Sequence, residues 1–547
     1  MINNESLLNQ EGFRLISALV VLYFIVKISL LKNGSLDNSL SRFLFWGMLS
    51  TAFIEALIGI PQNYSIDLIG YSGYFRVVGT FYNPNQYAAF MSPSVPIGLA
   101  LCLSEEKPFL KRLALIMVLS VVFILPVTFM RSSWLGVTVG VGTFALLKYR
   151  ERIGKYFHGR TFEILTASVS LVVLLTGMVF ILYKLRPSSA DARILVWRVT
   201  KEMIMDRPIL GVGYGNYGVR YMAYQAKFFE SPENVKNYAM VAGNMKFADN
   251  DFVQIFAELG MVGILIFLLL ICYAYFSSYK KLHSGELSQT SETFMIGGVG
   301  SMTTFLVISF FSFPLHIAPT AVIFFYTLAI MSAAADRSAP SAVLRTSIIN
   351  SGKNIQKPEW KHWVSRFASV IIVAIMILVS WDIPQRISSY KAWDDAFTLS
   401  LNGDYDDAIS LYESVYPSLN DNGKFHFMLG GTYVSDGKYR EGIDELEKSK
   451  SNYNDPEIYI ALGTAYEKLG DYNRAIINYE IASRMMPHWM YPHYLMAKVY
   501  YSTHDMEQAK IEVGTVINMP IKVESQAVDE MKSEMAELWK KIDTGKR

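Results

Sequence analysis

Asp191-Ala192-Arg193 and Trp197-Arg198, then Pro208-Ile209-Leu210-Gly211-Val212-Gly213-Tyr214-Gly215-Asn216-Tyr217, then Ala248-Asp249-Asn250-Asp251-Phe252-Val253-Gln254 with Glu258-Leu259-Gly260, mark out the stretch from Ala190 to Gly263. It is polar, aromatic and rich in glycine, yet apolar runs of membrane length enclose it on both sides. A long polar loop held between spans is where a membrane protein places its chemistry. The stretch therefore reads as the working loop, roughly 186–251, of a helical membrane bundle.

Composition agrees. The chain has 547 residues, 52% of them hydrophobic, and a mean hydropathy of +0.24. That is too apolar for a soluble protein and too long for one domain. The apolar runs end near residue 384, which divides the chain into a membrane domain, 1–384, and a soluble domain, 385–547. About ten candidate spans fall near 13–31, 43–60, 86–103, 113–129, 133–147, 163–185, 252–276, 293–313, 317–335 and 366–383. The expected fold class is all-α: a polytopic bundle followed by a helical solenoid. The first run is long for a signal core and lacks a small-residue cleavage site, so no cleavable signal peptide is expected. A net charge of +2 excludes bulk nucleic-acid binding. Cys102 and Cys272 lie within apolar runs and read as inert packing residues.

Charge orders the loops. Lys32 and Arg42, Lys107 to Arg112, Lys148 to Arg160, Lys280 with Lys281, and Arg337 to Arg366 all fall on one side of these spans. The positive-inside rule makes that side cytoplasmic. The working loop and everything after residue 384 are then expected on the extracytoplasmic face.

The soluble part repeats. Leu429-Gly430, Tyr433, Gly437 and Tyr439 return as Leu462-Gly463, Tyr466, Gly470 and Tyr472, a period of 33–34 residues that matches tetratricopeptide repeats. Ala475, Tyr479, Ala482 and Pro487 complete that unit. Gly403, Tyr405, Ala408 and Tyr412 form a degenerate earlier copy, and Ala497, Tyr500, Ala509, Val513 and Pro520 a weaker later one. Met531 to Ile542 is placed to cap the stack. The pattern predicts an interaction surface and names no ligand.

Candidate site residues come from the outer loops. Asn83-Pro84-Asn85 is a turn before a span; it either caps the helix or presents the Asn83 and Asn85 amides to a sugar or phosphate, with Arg76 nearby. Arg131, beside Trp134, is either a snorkelling anchor or a phosphate ligand. Arg193, Arg198, Arg207 and Arg220 line the large loop, where a guanidinium fork matches phosphate oxygens. Surface solvation or pairing with Asp191, Glu202 or Asp206 is the plainer reading of each. Asp249-Asn250-Asp251 stands where a helix N-cap belongs, and a carboxylate there is equally placed to act as a general base. Glu258 lies two turns deeper on the face of Asp251. His316, after Phe313-Pro314-Leu315, is a packed interface residue or a second candidate base. Gly211, Gly213 and Gly215 form no dinucleotide fingerprint, because no strand pattern precedes them. No ligand spacing demands a metal.

Together these motifs resemble the O-antigen ligase family of bacterial membrane glycosyltransferases, which includes polymerase-like proteins and protein O-oligosaccharyltransferases. The matching pieces are Gly79 to Asn85, Arg131-Ser132-Ser133-Trp134-Leu135-Gly136, Arg193 to Trp197, Pro208 to Asn216, and Ala248 to Gln254 with Glu258-Leu259-Gly260. The resemblance implies an undecaprenyl-diphosphate-linked glycan donor and transfer on the outer face of the bacterial inner membrane. It implies an acceptor hydroxyl on lipid, glycan or protein, and no nucleotide, cofactor or obligatory metal. It assigns Arg193 to the diphosphate, with Arg220 and Arg131 beside it. Where the family carries Ala-His-Asn-Asp, this chain has Ala248-Asp249-Asn250-Asp251, so the base becomes Asp249 or His316. The repeats are expected to recruit an acceptor or a protein partner. A lipid-linked-glycan transporter or a scaffold is the competing, non-enzymatic reading. Apart from Lys27, Glu55 and Glu258 the spans hold few charges, which disfavours a charged transport path.

Overall fold

In the computed structural model, residues 10–32, 35–36, 38–66, 68–70, 75–157, 177, 187–335 and 383–544 are described. Five helices among them are long and apolar enough to cross a membrane: Asn38–Asn63, Pro84–Ser104, Pro108–Thr128, Asp251–His283 and Gln289–Ser309. The expected runs at 13–31, 133–147 and 317–335 also form helices, Gln10–Leu30, Arg131–Lys148 and Ala318–Ala335. Those expected at 163–185 and 366–383 lie, but for residues 177 and 383, outside the described residues, so a count of ten is not established.

Arg131–Lys148 carries glycine where a lipid-facing span would carry leucine, and it sits against Gln289–Ser309. A Cβ on Gly140 would stand 2.6 Å from Gly300 O. Small residues allow this close approach, as they do between helices in membranes generally. Phe45 and Phe294 meet edge-on nearby at 5.0 Å, inside one continuous apolar core.

The bundle has two distinct ends. Arg150 Nη1 pairs with Glu292 at 2.6 Å, and its Nη2 donates to Leu282 O. Lys148 Nζ donates to Thr293, and Lys281 pairs with Glu286. Basic loops thus gather where three helices end or begin. Arg131, Asp251 and Ser309, at the other tips of those helices, share the opposite end.

From Ile383 the chain forms antiparallel helix pairs: Ile383–Asn402 with Tyr405–Leu419, Gly423–Ser435 with Tyr439–Ser449, Pro456–Lys468 with Tyr472–Met485, and Met490–Ser502 with Met506–Asn518. Gln526–Thr544 follows, burying Met535 and Leu538 against the last pair. The boundary expected at 384–385 falls inside the first of these helices. Of the period's residues Tyr412, Ala408, Tyr479, Ala475, Ala482, Ala497 and Ala509 are fully buried.

The repeats lie against the working loop. Tyr217, Tyr221, Met222 and Phe228 share one apolar cluster with Leu446, Ile458, Leu462, Ala482 and Met485. Gln225 Nε2 donates to Met485 O at 2.6 Å, and Asn244 Nδ2 to Asp455. Part of the repeat surface is therefore occupied by the chain itself.

Candidate active site

The site begins with a break in the longest helix. Asp251–His283 spans 33 residues, and Gly260 inside it has φ +65. The break frees the carbonyls of Ala257 and Glu258 and the N–H groups of Met261 and Val262, which an unbroken helix would pair with each other. The Pro208–Gly213 segment takes all four. Val212 N donates to Ala257 O at 2.9 Å and Gly213 N to Glu258 O at 2.8 Å. Met261 N donates to Pro208 O at 2.8 Å and Val262 N to Ile209 O at 3.3 Å. Gly211 permits this close backbone approach: a Cβ there would stand 2.4 Å from Glu258 O.

Around this exchange the polar groups converge. Asn250 is the N-cap, its Oδ1 accepting from Val253 N at 3.1 Å. Asp251 is left for another task. It is fully buried and accepts from Ser309 Oγ at 2.8 Å and Leu315 N at 3.2 Å, and it meets His316 Nδ1 at 2.9 Å. Glu258, two turns on, accepts at Oε1 from Gln254 Nε2 and Tyr217 N. Its Oε2 lies 3.7 Å from His316 Nε2, an ion contact too long for a hydrogen bond. Among the described residues neither of those two atoms has a hydrogen-bond partner. Tyr214 stacks on the imidazole at 6.3 Å and Phe247 tilts over it at 5.9 Å. Burial alone pulls the His316 pKa down; the Asp251 bond and the charges of Asp251 and Glu258 outweigh it and raise the pKa to about 10. Burial, with the same two carboxylates, pushes the Tyr214 hydroxyl up to about 12.

Asp249 stands at the rim of this cluster. Its backbone is left-handed, φ +51, a conformation uncommon among non-glycine residues that aspartate tolerates better than most. Its carboxylate faces Arg193 Nε at 3.8 Å, and Arg193 Nε is buried with no hydrogen-bond partner among the described residues. Burial raises the Asp249 pKa, and Arg193 opposes the rise without cancelling it. The pairing is fixed one turn along the Pro187–Asp206 helix, where Trp197 Nε1 donates to Ala248 O at 3.0 Å. Ala248 N in turn donates to Gln254.

The other expected residues are distributed differently. Asn83 caps the Pro84–Met91 helix through Asn85 N, as its plainer reading requires. Asn85 Oδ1 is buried without a hydrogen bond among the described residues. Arg76 is exposed, and Arg131 opens its helix. Arg220 sits half-buried on Tyr217–Phe228, its N–H donating to Asn216 O. Arg198 lies over the Tyr238 ring at 5.1 Å, a packing role. The structure thus joins Arg193 with Asp249, and His316 with Asp251 and Glu258.

Two residues outside the expected set hold the Gly79-Thr80 turn. Glu55 accepts from Thr80 N and Thr80 Oγ1, and Gln62 bonds Val78 N, Gly79 N and Gly79 O. A Glu and a Gln seven apart in an apolar span share one helix face, and that was the signal available in the sequence. Among the described residues, no group of three or more His, Cys, Asp or Glu side chains is arranged to hold a metal.

Fold and site define a helical membrane protein whose large polar loop folds onto the bundle tip and is backed by helical repeats. A family model described as O-antigen ligase matches residues 115–268, which include Arg131, Arg193, Arg220 and Asp249. A second, described as anaphase-promoting complex, cyclosome, subunit 3, matches residues 401–482. The chain is thus similar to O-antigen ligases over residues 115–268 and forms tetratricopeptide-like helical repeats in its later part. A Rickettsia conorii protein named "Putative polysaccharide ligase RC0486" is 24% identical over 256 residues, 46% of this chain and 58% of that protein. A Rickettsia felis protein of the same descriptive name is 23% identical over 252 residues, 43% and 57% of the two chains. The chain therefore spans under two thirds of the curated relatives it matches. A crystal structure of MamA protein aligns with 28% of this chain and 89% of its own, at 20% identity and a TM-score of 0.23.

Proposed function

We propose that the chain transfers a glycan from an undecaprenyl-diphosphate-linked donor to an acceptor hydroxyl on the extracytoplasmic face of a bacterial inner membrane. The observation that carries this is the Arg193–Asp249 pair: a partly buried guanidinium with an unspent donor beside a carboxylate whose pKa is raised. It stands within the stretch, residues 115–268, that is similar to O-antigen ligases.

The two groups suit the two ends of such a displacement. Asp249 takes the proton of the acceptor hydroxyl as its oxygen attacks the anomeric carbon. The bond from that carbon to the phosphate oxygen breaks, and the lipid diphosphate leaves with the electron pair. Arg193 turns from Asp249 to the departing phosphate as its charge grows. A raised carboxylate pKa makes Asp249 a stronger base than an exposed aspartate. His316, held as an imidazolium at neutral pH, supplies positive charge and a donor at Nε2, leaving the base role to Asp249. On this reading Arg220, Arg131 and Arg76, with Asn83 and Asn85, are further candidates for contact with the donor.

The test is transfer from a purified lipid-diphosphate-linked glycan in liposomes, with lipid-core, glycan and Ser/Thr-protein acceptors offered separately. Arg193→Ala and Asp249→Asn are each expected to lower the rate by about 10²–10⁴-fold while thermal stability holds. The acceptor that is consumed separates ligase from polymerase and from protein glycosylation. Donor binding without transfer to any acceptor would instead support a transporter or scaffold.

A further inference from the structure

The last repeat and its capping helix form a half-open cleft of about 770 Å³. That is within the range of roughly 300–1,000 Å³ typical of small-ligand sites. Trp489, Tyr491 and Tyr494 line it in sequence, with ring centroids 6.1 Å apart at each step and the two tyrosines nearly parallel. Lys498, Lys522 and Glu534 are among the polar groups at its edge. Lys498 Nζ and Tyr494 Oη both bond Glu534, which fixes the tilt of that ring.

We propose that this cavity binds a stretch of glycan chain, a second saccharide site apart from the Arg193–Asp249 centre. The inference rests on the transferase reading for its ligand class.

Three observations select a saccharide. A row of aromatic faces offers flat apolar surface to the C–H faces of sugar rings, and the amphipathic rims of Trp and Tyr leave room for hydroxyl partners. Charge is balanced: the lining holds two lysines, Lys498 and Lys522, and two glutamates, Glu530 and Glu534, while His488 has its pKa lowered by burial and by Lys522. A neutral lining suits an uncharged polyhydroxyl chain better than a phosphorylated, acidic or basic peptide. The cavity is also tied to the working loop. Lys522 Nζ donates to Ala242 O at 2.9 Å and His488 Nδ1 to Ala239 O at 3.1 Å. Those carbonyls lie seven and ten residues before Asp249, so a chain held here stays on the loop that carries the reacting end. The arrangement keeps a polymer engaged at a point remote from the chemistry and lowers the entropic cost of presenting its end.

The experiment uses the full-length protein in lipid nanodiscs. The probe is a set of four- to eight-sugar fragments released by mild acid from the surface polysaccharide of the producing cell. Binding is read by isothermal titration and by saturation-transfer NMR. Wild type and Arg193→Ala are expected to bind equally. Trp489→Ala and Tyr494→Phe are both expected to bind more weakly, the first by about tenfold or more, with unchanged thermal midpoints. Tyr494→Phe keeps the ring and removes the bond to Glu534, so it tests the site without opening the packing. No binding by wild type, or binding that both variants leave unchanged, overturns the proposal, as does displacement of the fragments only from Arg193. Preference for a Ser/Thr-rich decapeptide over the fragments at this cavity overturns it too. Fragment binding lost in Trp489→Ala, with no transfer in any assay, would uphold this site and sink the transferase reading; the reverse pattern would do the opposite.

Discussion

His426 in the repeats and His316 at the bundle tip are both buried against carboxylates, and they are built differently. His426 meets Glu445 Oε2 at 2.6 Å through Nδ1 and Asn420 O at 2.9 Å through Nε2. Glu445 Oε1 also takes Lys448 Nζ at 2.7 Å. Burial raises the Glu445 pKa, but His426 and Lys448 outweigh it and hold it below the usual glutamate value. Each of those polar atoms has a partner. His316 spends Nδ1 on Asp251 and leaves Nε2 open, facing an equally open Glu258 Oε2 at 3.7 Å. Buried polar groups are nearly always satisfied, and an unspent donor and acceptor together are costly. The first arrangement stabilises a fold. The second holds bonding capacity in reserve, as a binding centre does.

Removing each imidazole tests that difference. His316→Ala leaves Asp251 and Glu258 buried without their cation and is expected to cost about 3–5 kcal/mol. His426→Ala leaves Glu445 with Lys448 and is expected to cost about 1–3 kcal/mol. Thermal unfolding in detergent measures both, and equal losses would break the contrast. The pH dependence sharpens it. The folded-state pKa of His316 is raised to about 10, against an unfolded value of about 6.5. Its contribution is then complete below about pH 6.5 and fades as pH climbs toward 10. Wild type should lose stability across that window relative to His316→Gln, whose curve lacks this component.

The same contrast explains what was legible in the sequence. The repeats declare themselves because each helix pair contacts its neighbours through the same small and aromatic positions, so Gly430 and Gly463, or Tyr439 and Tyr472, recur at a fixed distance. The site has no period. Arg193 and Asp249 stood out as residue types in a polar loop, but nothing local announced that Trp197 would bring them together through Ala248. Asp251 and His316 are 65 residues apart, and the exchange of backbone bonds between Pro208–Gly213 and the break at Gly260 depends on two segments meeting in space. Glu55 was visible as a charge in a span, yet its hold on Thr80 was not. The number of spans was read from hydropathy and from the alternation of charge between loops; neither registers that the glycines of Arg131–Lys148 answer to a partner helix rather than to lipid.

Glycine-to-alanine changes extend the comparison to the backbone. Gly260 and Gly437 both have positive φ, +65 and +83. A Cβ at Gly437 meets nothing within 4 Å, whereas one at Gly260 would stand 2.2 Å from Ile209 O. Gly437→Ala should cost only the left-handed strain, about 1–2 kcal/mol. Gly260→Ala adds displacement of the Pro208–Gly213 segment, for a total above about 2 kcal/mol, and transfer should fall with it. Thermal midpoints and transfer rates of the two variants decide this. A Gly260→Ala protein with normal activity would show that the segment does not position the site.

The smallest effect lies in the fourth repeat. Gly403, Gly437 and Gly470 occupy the turns between paired helices in the first three, all with positive φ. His504 holds the corresponding place at φ +63. It is exposed, so its side chain adds little packing to offset the strain. His504→Gly relieves a left-handed non-glycine residue at about 1–2 kcal/mol and returns part of that by loosening the unfolded chain. A net gain of about 0.5–1 kcal/mol is expected, with transfer unchanged. Denaturant unfolding of the full chain measures it. A loss of stability would mean that the imidazole makes contacts this geometry does not require, and that the fourth turn is not equivalent to the other three.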